Sequence, residues 1–311
     1  MKSDLEQRAF EADILSGLAQ SAKSIPCKYF YDAAGSALFE QITTLDEYYP
    51  TRSEIEILQR HAADIASRTQ DETVLVEFGS GSSIKTELLL QACPAITCYL
   101  PIDVSETSLA DAKLRLEQVF PRLRVEPLLA DFTAAISLPG DLARRPKLGF
   151  FPGSTIGNFS HEAAVELLGR FRTVLGPASR LVVGADLRKS PDILVRAYDD
   201  AKGVTAAFNL NLLTRINSEL NGTFDLARFR HLATYDAVSG RIDMYLVSTE
   251  QQTVRVSGQT FEFKAGERIH TEVSQKYEVS EFQNLALRAG WQSSAHWTDS
   301  NGYFSVHEFQ C

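Results

Sequence analysis

The sequence predicts an α/β protein: a mostly parallel sheet with helices on both faces, interrupted by a second, α+β lobe. Three observations predict it. The stretch Val74 to Lys85, VLVEFGSGSSIK, runs from an apolar β-branched strand into a glycine-rich turn, and Thr86-Glu87-Leu88-Leu89-Leu90 then reads as a helix. Short apolar strands and amphipathic helices alternate from there to Ala185. The chain finishes with a helix, a strand, a turn and a strand, a terminal hairpin placed to close the sheet.

The bulk composition narrows the function classes. A chain of 311 residues suits one large domain or two interleaved ones. With 44% hydrophobic and 23% charged residues it has enough apolar side chains for a core. The formal charge is -9 and no basic run tracks a phosphate backbone, which argues against nucleic acid and for a small-molecule substrate. The N-terminal stretch lacks the basic region and apolar core of a signal peptide, and no apolar run approaches the ~20 residues that span a bilayer. Cys27, Cys93, Cys98 and Cys311 form no CxxC pair and no zinc-type spacing. A cytoplasmic monomer with reduced thiols and no metal is expected.

Taken in order, residues 5–22 predict an amphipathic helix, and 38–43 a further one. Ser53 is placed to cap a helix over 54–68. The aromatic residues between them, Tyr29, Phe30, Tyr31, Tyr48 and Tyr49, read either as packing or as part of a site. At the glycine turn, Gly79 and Gly81 let the backbone approach a ligand. The third glycine of a dinucleotide fingerprint is absent, and Glu77 closes the strand. A carboxylate there repels a pyrophosphate and suits an ammonium group, as on S-adenosylmethionine. This E-x-G-x-G pattern is similar to the first motif of Rossmann-like methyltransferases.

The second strand, 97–103, ends at Asp103, 24 residues beyond Gly79, where an acid accepts hydrogen bonds from ribose hydroxyls. A helix over 106–120 follows, with Leu109, Ala112, Leu116 and Val119 on one side. A third strand, 124–129, leads to Asp131 and Phe132. Asp131 is read in two ways, as an acceptor for an adenine amine with Phe132 stacking nearby, or as a cap. The fourth strand, 147–151, enters the turn Gly153 to Asn158, beside the switch in strand order where open sheets bind ligands. Ser160 caps a helix to Leu175, and 180–185 is the fifth strand.

Residues 187–250 break the alternation. Helices are predicted over 192–208 and 210–220, and strands over 235–248, 254–262 and 267–277. In the last strand His270, Glu272, Ser274 and Lys276 share one face by strict alternation. A helix over 280–289 ends at Gly290, and strands over 291–297 and 303–309 complete the chain.

Several long runs carry a specific resemblance: YFYDAAGSALFEQIT, LDEYYPTRSE, VEFGSGSSIKT, FFPGSTIGNFS, YDDAKGVTAAFN and HTEVSQKY. They resemble the bacterial L-histidine Nα-methyltransferases of ergothioneine biosynthesis, over nearly the whole chain. The resemblance implies a Rossmann-like methyltransferase core over 53–188 and 278–311, with a seven-stranded mixed sheet whose last strand is antiparallel, and an interleaved α+β substrate-binding lobe over 1–52 and 189–277. It implies that Glu77, Gly79, Gly81, Lys85, Asp103, Asp131 and Phe132 bind S-adenosylmethionine. Tyr48, Asn158 and Tyr198 would hold the carboxylate and amine end of histidine, with Tyr31 and Gly153 bordering the same place. Tyr31, Tyr48 and Asn158 would serve the reacting amine, and Glu272 and Ser274 would hold the imidazole, with Met244 beside it.

Physical chemistry agrees with those roles. Methyl transfer is an in-line displacement that needs alignment and a neutral amine, and no metal. Tyrosine faces tolerate the quaternary ammonium left by three transfers, an effect of roughly 0.5–2 kcal/mol. Glu272 and Ser274 together match a side chain with two polar nitrogens. Related enzymes acting on another amino acid such as tryptophan, and non-catalytic S-adenosylmethionine-binding proteins, are the alternative readings.

Overall fold

The computed structural model describes residues 4–80 and 84–311. The first elements are α1 (Asp4–Ala19), α2 (Ala33–Thr43), α3 (Tyr49–Ala66), β1 (Thr73–Phe78), α4 (Ile84–Ala92), β2 (Ile96–Asp103) and α5 (Glu106–Val119). Then come β3 (Arg124–Val125), β4 (Leu128–Leu129), β5 (Lys147–Phe151), α6 (His161–Leu175), β6 (Arg180–Asp186), α7 (Pro191–Tyr198) and α8 (Val204–Glu219). The chain continues through β7 (Phe229–Asp236), β8 (Arg241–Ser248), β9 (Gln252–Val256), β10 (Gln259–Phe263) and β11 (Arg268–Gln275). It ends in α9 (Val279–Arg288), β12 (Gln292–Thr298) and β13 (Phe304–Gln310).

The chain forms two compact units, Met1–Tyr49 with Lys189–Gln275, and Pro50–Arg188 with Lys276–Cys311. The second unit is built on an eight-stranded sheet in the order β12-β13-β6-β5-β1-β2-β3, with β4 also pairing β2. Strands β1, β2, β5 and β6 pair in parallel, whereas β13 runs antiparallel to both β6 and β12. Every residue of β1 is buried, as a strand covered on both faces requires. One face packs Val74, Val76 and Phe78 against Leu167, Leu168 and Phe171 of α6 and Phe282 and Leu285 of α9. The other packs Leu75, Tyr99 and Phe150 against Ile57 and Leu58 of α3, Leu89 of α4 and Leu116 of α5. The strand order reverses between β1 and β5, the place where open α/β sheets bind ligands beyond the carboxyl ends of their strands.

The first unit holds a three-stranded antiparallel sheet, β11-β8-β7, and the hairpin β9–β10. Helices α7 and α8 pack on the three-stranded sheet. Among the described residues no helix is long and apolar enough to cross a membrane, and no cluster of His, Cys, Asp and Glu is arranged to hold a metal.

Several expected elements are revised. The third strand is split into β3 and β4 because Pro127 between them has no N–H to donate. Ser53 is no cap: α3 already begins at Tyr49, with Pro50 in the first turn where a missing N–H costs nothing. Ser53 instead donates to Asp299 at 3.3 Å. The helices expected over 192–208 and 210–220 break earlier, at left-handed Gly203, where Asp200 accepts the N–H groups of Val204 and Thr205. The strand expected over 235–248 is the end of β7, a turn through Gly240, and β8. The strand over 254–262 is a hairpin turning at Ser257 and Gly258, both with positive φ, as a two-residue hairpin turn demands.

Candidate active site

The glycine turn lies in the unit with the eight-stranded sheet. Gly79 has φ +79°, and a Cβ there would meet the Phe132 ring at 3.3 Å. Only glycine adopts this conformation at no cost while letting Phe132 close in. Phe132 is half-buried, edge-on to Phe151 with ring centroids 5.6 Å apart. Asp103 ends β2 and accepts from the N–H groups of Ser80, at 3.1 Å, and Ser105, at 2.9 Å. Its carboxylate is thus held at the mouth of the glycine turn. Gly81 lies outside the described residues. Asp131 is exposed and accepts from the Thr133 N–H and hydroxyl at 2.8 and 2.6 Å. No helix follows for it to cap; the two bonds close a local turn that carries Phe132.

Glu77 is fully buried, and its Oε2 accepts from the hydroxyls of Thr86 and Tyr99. Burial pushes its pKa up to about 8, against the pull of those two hydroxyls and of Lys85. Below that pH the side chain is a neutral acid pinned between α4 and β2, not the open carboxylate that its position beside the turn suggested.

Lys85, in the first turn of α4, pairs with Glu54 of α3 at 2.5 Å. The same carboxylate accepts the Gly153 N–H at 2.8 Å. Gly153 and Ser154 are both left-handed, with φ +83° and +58°. Ser154 adopts that uncommon conformation while its hydroxyl accepts the Asp186 N–H at 2.9 Å. Asn158 ends the 3-10 turn Thr155–Asn158 and is half-buried. Lys276, expected on the face of Glu272, instead forms a fully buried ion pair with Asp186 at 2.7 Å in this unit.

In the other unit, β11 carries a bulge. His270 pairs with Tyr245, and Glu272 pairs with Met244, so Thr271 is the extra residue. Tyr245 and Met244 are adjacent on β8 and point to opposite faces. His270 therefore faces away from Glu272, which revises the shared face read from strict alternation. On its own face His270 approaches Asp243 at 2.8 Å. Glu272 and Ser274 keep a common face with Met244 and Ile242. The Thr271 hydroxyl donates to the Met244 carbonyl at 3.1 Å and fastens the bulge.

That face meets the tyrosines. Tyr198 and Ser274 share a buried hydrogen bond of 2.8 Å between their hydroxyls. Tyr48 stands edge-on to Tyr198 at 6.3 Å and to Phe39 at 6.2 Å, and Phe39 stands edge-on to Tyr31 at 5.7 Å. Tyr31 is 43% exposed, yet its hydroxyl is crowded by protein and lies near Glu272, which together raise its pKa. Burial, then the Glu272 carboxylate, pushes the Cys27 thiol up to about 12, so it is not a nucleophile at neutral pH.

Sequence reasoning missed the residues that hold this cluster. The His231 Nε2–H donates to the Tyr198 carbonyl at 2.8 Å, and Asn209 donates to His231 Nδ1 at 2.8 Å. Burial lowers the His231 pKa, against the pull of the Tyr198 carbonyl and of Asp199. Asn209, on α8, closes the run YDDAKGVTAAFN and His231, on β7, lies in none of the matched runs; no role attached to either until the fold brought them together. Glu54 and Thr271 also lie inside matched runs, LDEYYPTRSE and HTEVSQKY, and were missed because their partners come from distant parts of the chain.

The sheet order, its antiparallel penultimate strand and the glycine turn between β1 and α4 define the S-adenosylmethionine-dependent methyltransferase fold. The family described as "Histidine-specific methyltransferase, SAM-dependent" matches residues 10–311, and the chain belongs to that family. It is 40% identical to the histidine N-alpha-methyltransferase of Mycolicibacterium smegmatis, over 98% of this chain and 96% of that one. It is 39% identical to the enzyme of that name from Mycobacterium tuberculosis, over 97% and 95%. An L-tryptophan methyltransferase of Psilocybe serbica is 25% identical, over 95% and 93%.

Proposed function

We propose that this enzyme transfers methyl groups from S-adenosylmethionine to the α-amine of L-histidine, up to three times. The product is Nα-trimethylhistidine, hercynine, for ergothioneine biosynthesis. The observation that carries the reading is the match of residues 10–311 to the histidine-specific family.

The unit with the eight-stranded sheet is the cofactor half in this reading. Gly79 leaves room for a nucleoside, Asp103 accepts from its ribose hydroxyls, and Phe132 faces its base, with Asp131 beside the base as an acceptor. Lys85 supplies a cation for the amino-acid tail. When bound, S-adenosylmethionine supplies an electrophilic methyl group on a sulfonium sulfur. Gly153 and Asn158 of the same unit belong to the amino-acid side.

The unit with the three-stranded sheet is the substrate half. Glu272 and Ser274 take the two imidazole nitrogens, and Met244 packs beside the ring. Glu272 can accept from an imidazole N–H, and the Ser274 hydroxyl, already joined to Tyr198, can serve the other nitrogen. A side chain without those nitrogens would leave polar groups unpaired, which is how such a pocket rejects it. Tyr48 and Tyr198 hold the carboxylate and amine end. With Tyr31, their rings offer π-faces that accept the growing positive charge on nitrogen.

The test is mass spectrometry of histidine incubated with the protein and S-adenosylmethionine, beside tryptophan and the other amino acids. The expected result is one, two and three methyl groups on histidine alone. Methylation of tryptophan instead would overturn the specificity, and no methylation in the panel would overturn the activity.

A further inference from the structure

We infer that Glu54 is a positioning residue for the cofactor: it holds the Lys85 ammonium and the Gly153 turn in fixed places at the carboxyl end of the sheet. The inference rests on the reading of Lys85 as a cofactor contact.

Three contacts from distant parts of the chain converge on this carboxylate. It comes from α3, 0% exposed, and its Oε2 takes both the Lys85 ammonium at 2.5 Å and the Gly153 N–H at 2.8 Å. Its other oxygen lies against Gly184 of β6, where a Cβ would sit 2.1 Å from it. The absence of a side chain at 184 is what lets the carboxylate in. That second oxygen has no hydrogen-bond partner among the described residues.

Stability does not explain such an arrangement. Removing a carboxylate from water costs several kcal/mol, and an ion pair with an unfilled lone pair recovers that cost poorly. An apolar pair of equal volume would serve packing as well or better. What the ion pair adds is order. A lysine has four rotatable side-chain bonds, and an untethered ammonium samples many positions. Tied to Glu54, Lys85 keeps one, and the three N–H donors of its ammonium exceed what one carboxylate contact uses. The pair carries no net charge, so it can offer a donor to a ligand carboxylate without placing an uncompensated cation beside the cofactor's own positive sulfur.

The experiment is a double-mutant cycle on the full chain, read by calorimetric titration of S-adenosylhomocysteine, with a histidine titration and a thermal melt for each variant. The glutamine of Glu54→Gln retains an acceptor for the Gly153 N–H and loses only the charge. Glu54→Gln and Lys85→Met should each weaken cofactor-analogue binding about tenfold, and the double variant no more than Lys85→Met alone. Histidine affinity should change less than twofold, which a merely structural role would not respect. Unchanged affinity in Glu54→Gln with a weakened Lys85→Met overturns the inference, and so do additive losses. An unaffected Lys85→Met overturns the lysine's role itself and takes this inference with it. If Glu54→Gln does not fold, Glu54→Asp keeps the charge and withdraws it by one methylene. Its weaker binding must then vanish on the Lys85→Met background.

Discussion

Replacing Glu77 by glutamine tests whether this residue acts as a neutral acid. The folded chain holds the Glu77 proton up to about pH 8. An unfolded glutamate loses its proton near pH 4.3. The folded state therefore binds more protons than the unfolded state between those values, and stability falls as pH rises through that window. With those two values, about 2.5 kcal/mol is lost between pH 5 and pH 7 on account of this one group. Glutamine keeps a carbonyl oxygen for the Thr86 and Tyr99 hydroxyls and cannot ionise. Urea unfolding of the wild type and Glu77→Gln at pH 5, 6 and 7 is the assay. The variant should gain on the wild type by about 2.5 kcal/mol over that range, and should be the more stable of the two at pH 7. Parallel curves would refute the neutral-acid assignment. Cofactor titration at pH 7 supplies a second readout: a neutral Glu77 predicts near-equal affinity in the two proteins, whereas a carboxylate that pairs with the cofactor's ammonium predicts a large loss in the variant.

The remaining predictions concern the core and the two halves of the site. Burial, and then His296, hold the His307 pKa down to about 3, so its stabilising contribution as a neutral ring is lost as pH falls from about 6.5 toward 3. His307→Gln should lessen acid unfolding by about 3 kcal/mol at pH 4, measured by denaturant titration, and an unchanged acid limb would contradict this. Glu272→Ala should weaken histidine strongly while sparing cofactor binding, and equal histidine affinity in calorimetry would defeat the imidazole assignment. Asp103→Ala should weaken S-adenosylmethionine and leave histidine binding intact, with unchanged cofactor affinity sinking the ribose role. Thr271→Val removes the hydroxyl that fastens the bulge, at a cost of about 1 kcal/mol, and should raise the KM for histidine while leaving that for the cofactor unchanged. Equal KM values in wild type and variant would mean that the bulge holds Glu272 without that bond.

By itself the sequence determined the local units. Val74 to Phe78, the Gly79 turn and the helix after it were legible because apolar β-branched runs and glycine act over a few residues. The terminal helix and hairpin were legible for the same reason, and so was the family, through long unbroken runs such as FPGSTIGNF. Turns were harder. The hairpin at Ser257 and Gly258 carries a serine at a left-handed position, and alternation continues through it without a break. Tertiary structure alone decided three further matters. The face of Glu272 depended on one extra residue, because strand periodicity is two and a single insertion moves the side chain to the other side. The environment of Glu77 depended on its complete removal from water and on a hydroxyl from Tyr99, 22 positions away. The place of Lys85 depended on a carboxylate from α3 that enters where Gly184 has no side chain. Charge, hydrogen bonding and exclusion of water act through space, and residues that share a space here, such as Ser53 and Asp299, stand as much as 246 positions apart in the chain.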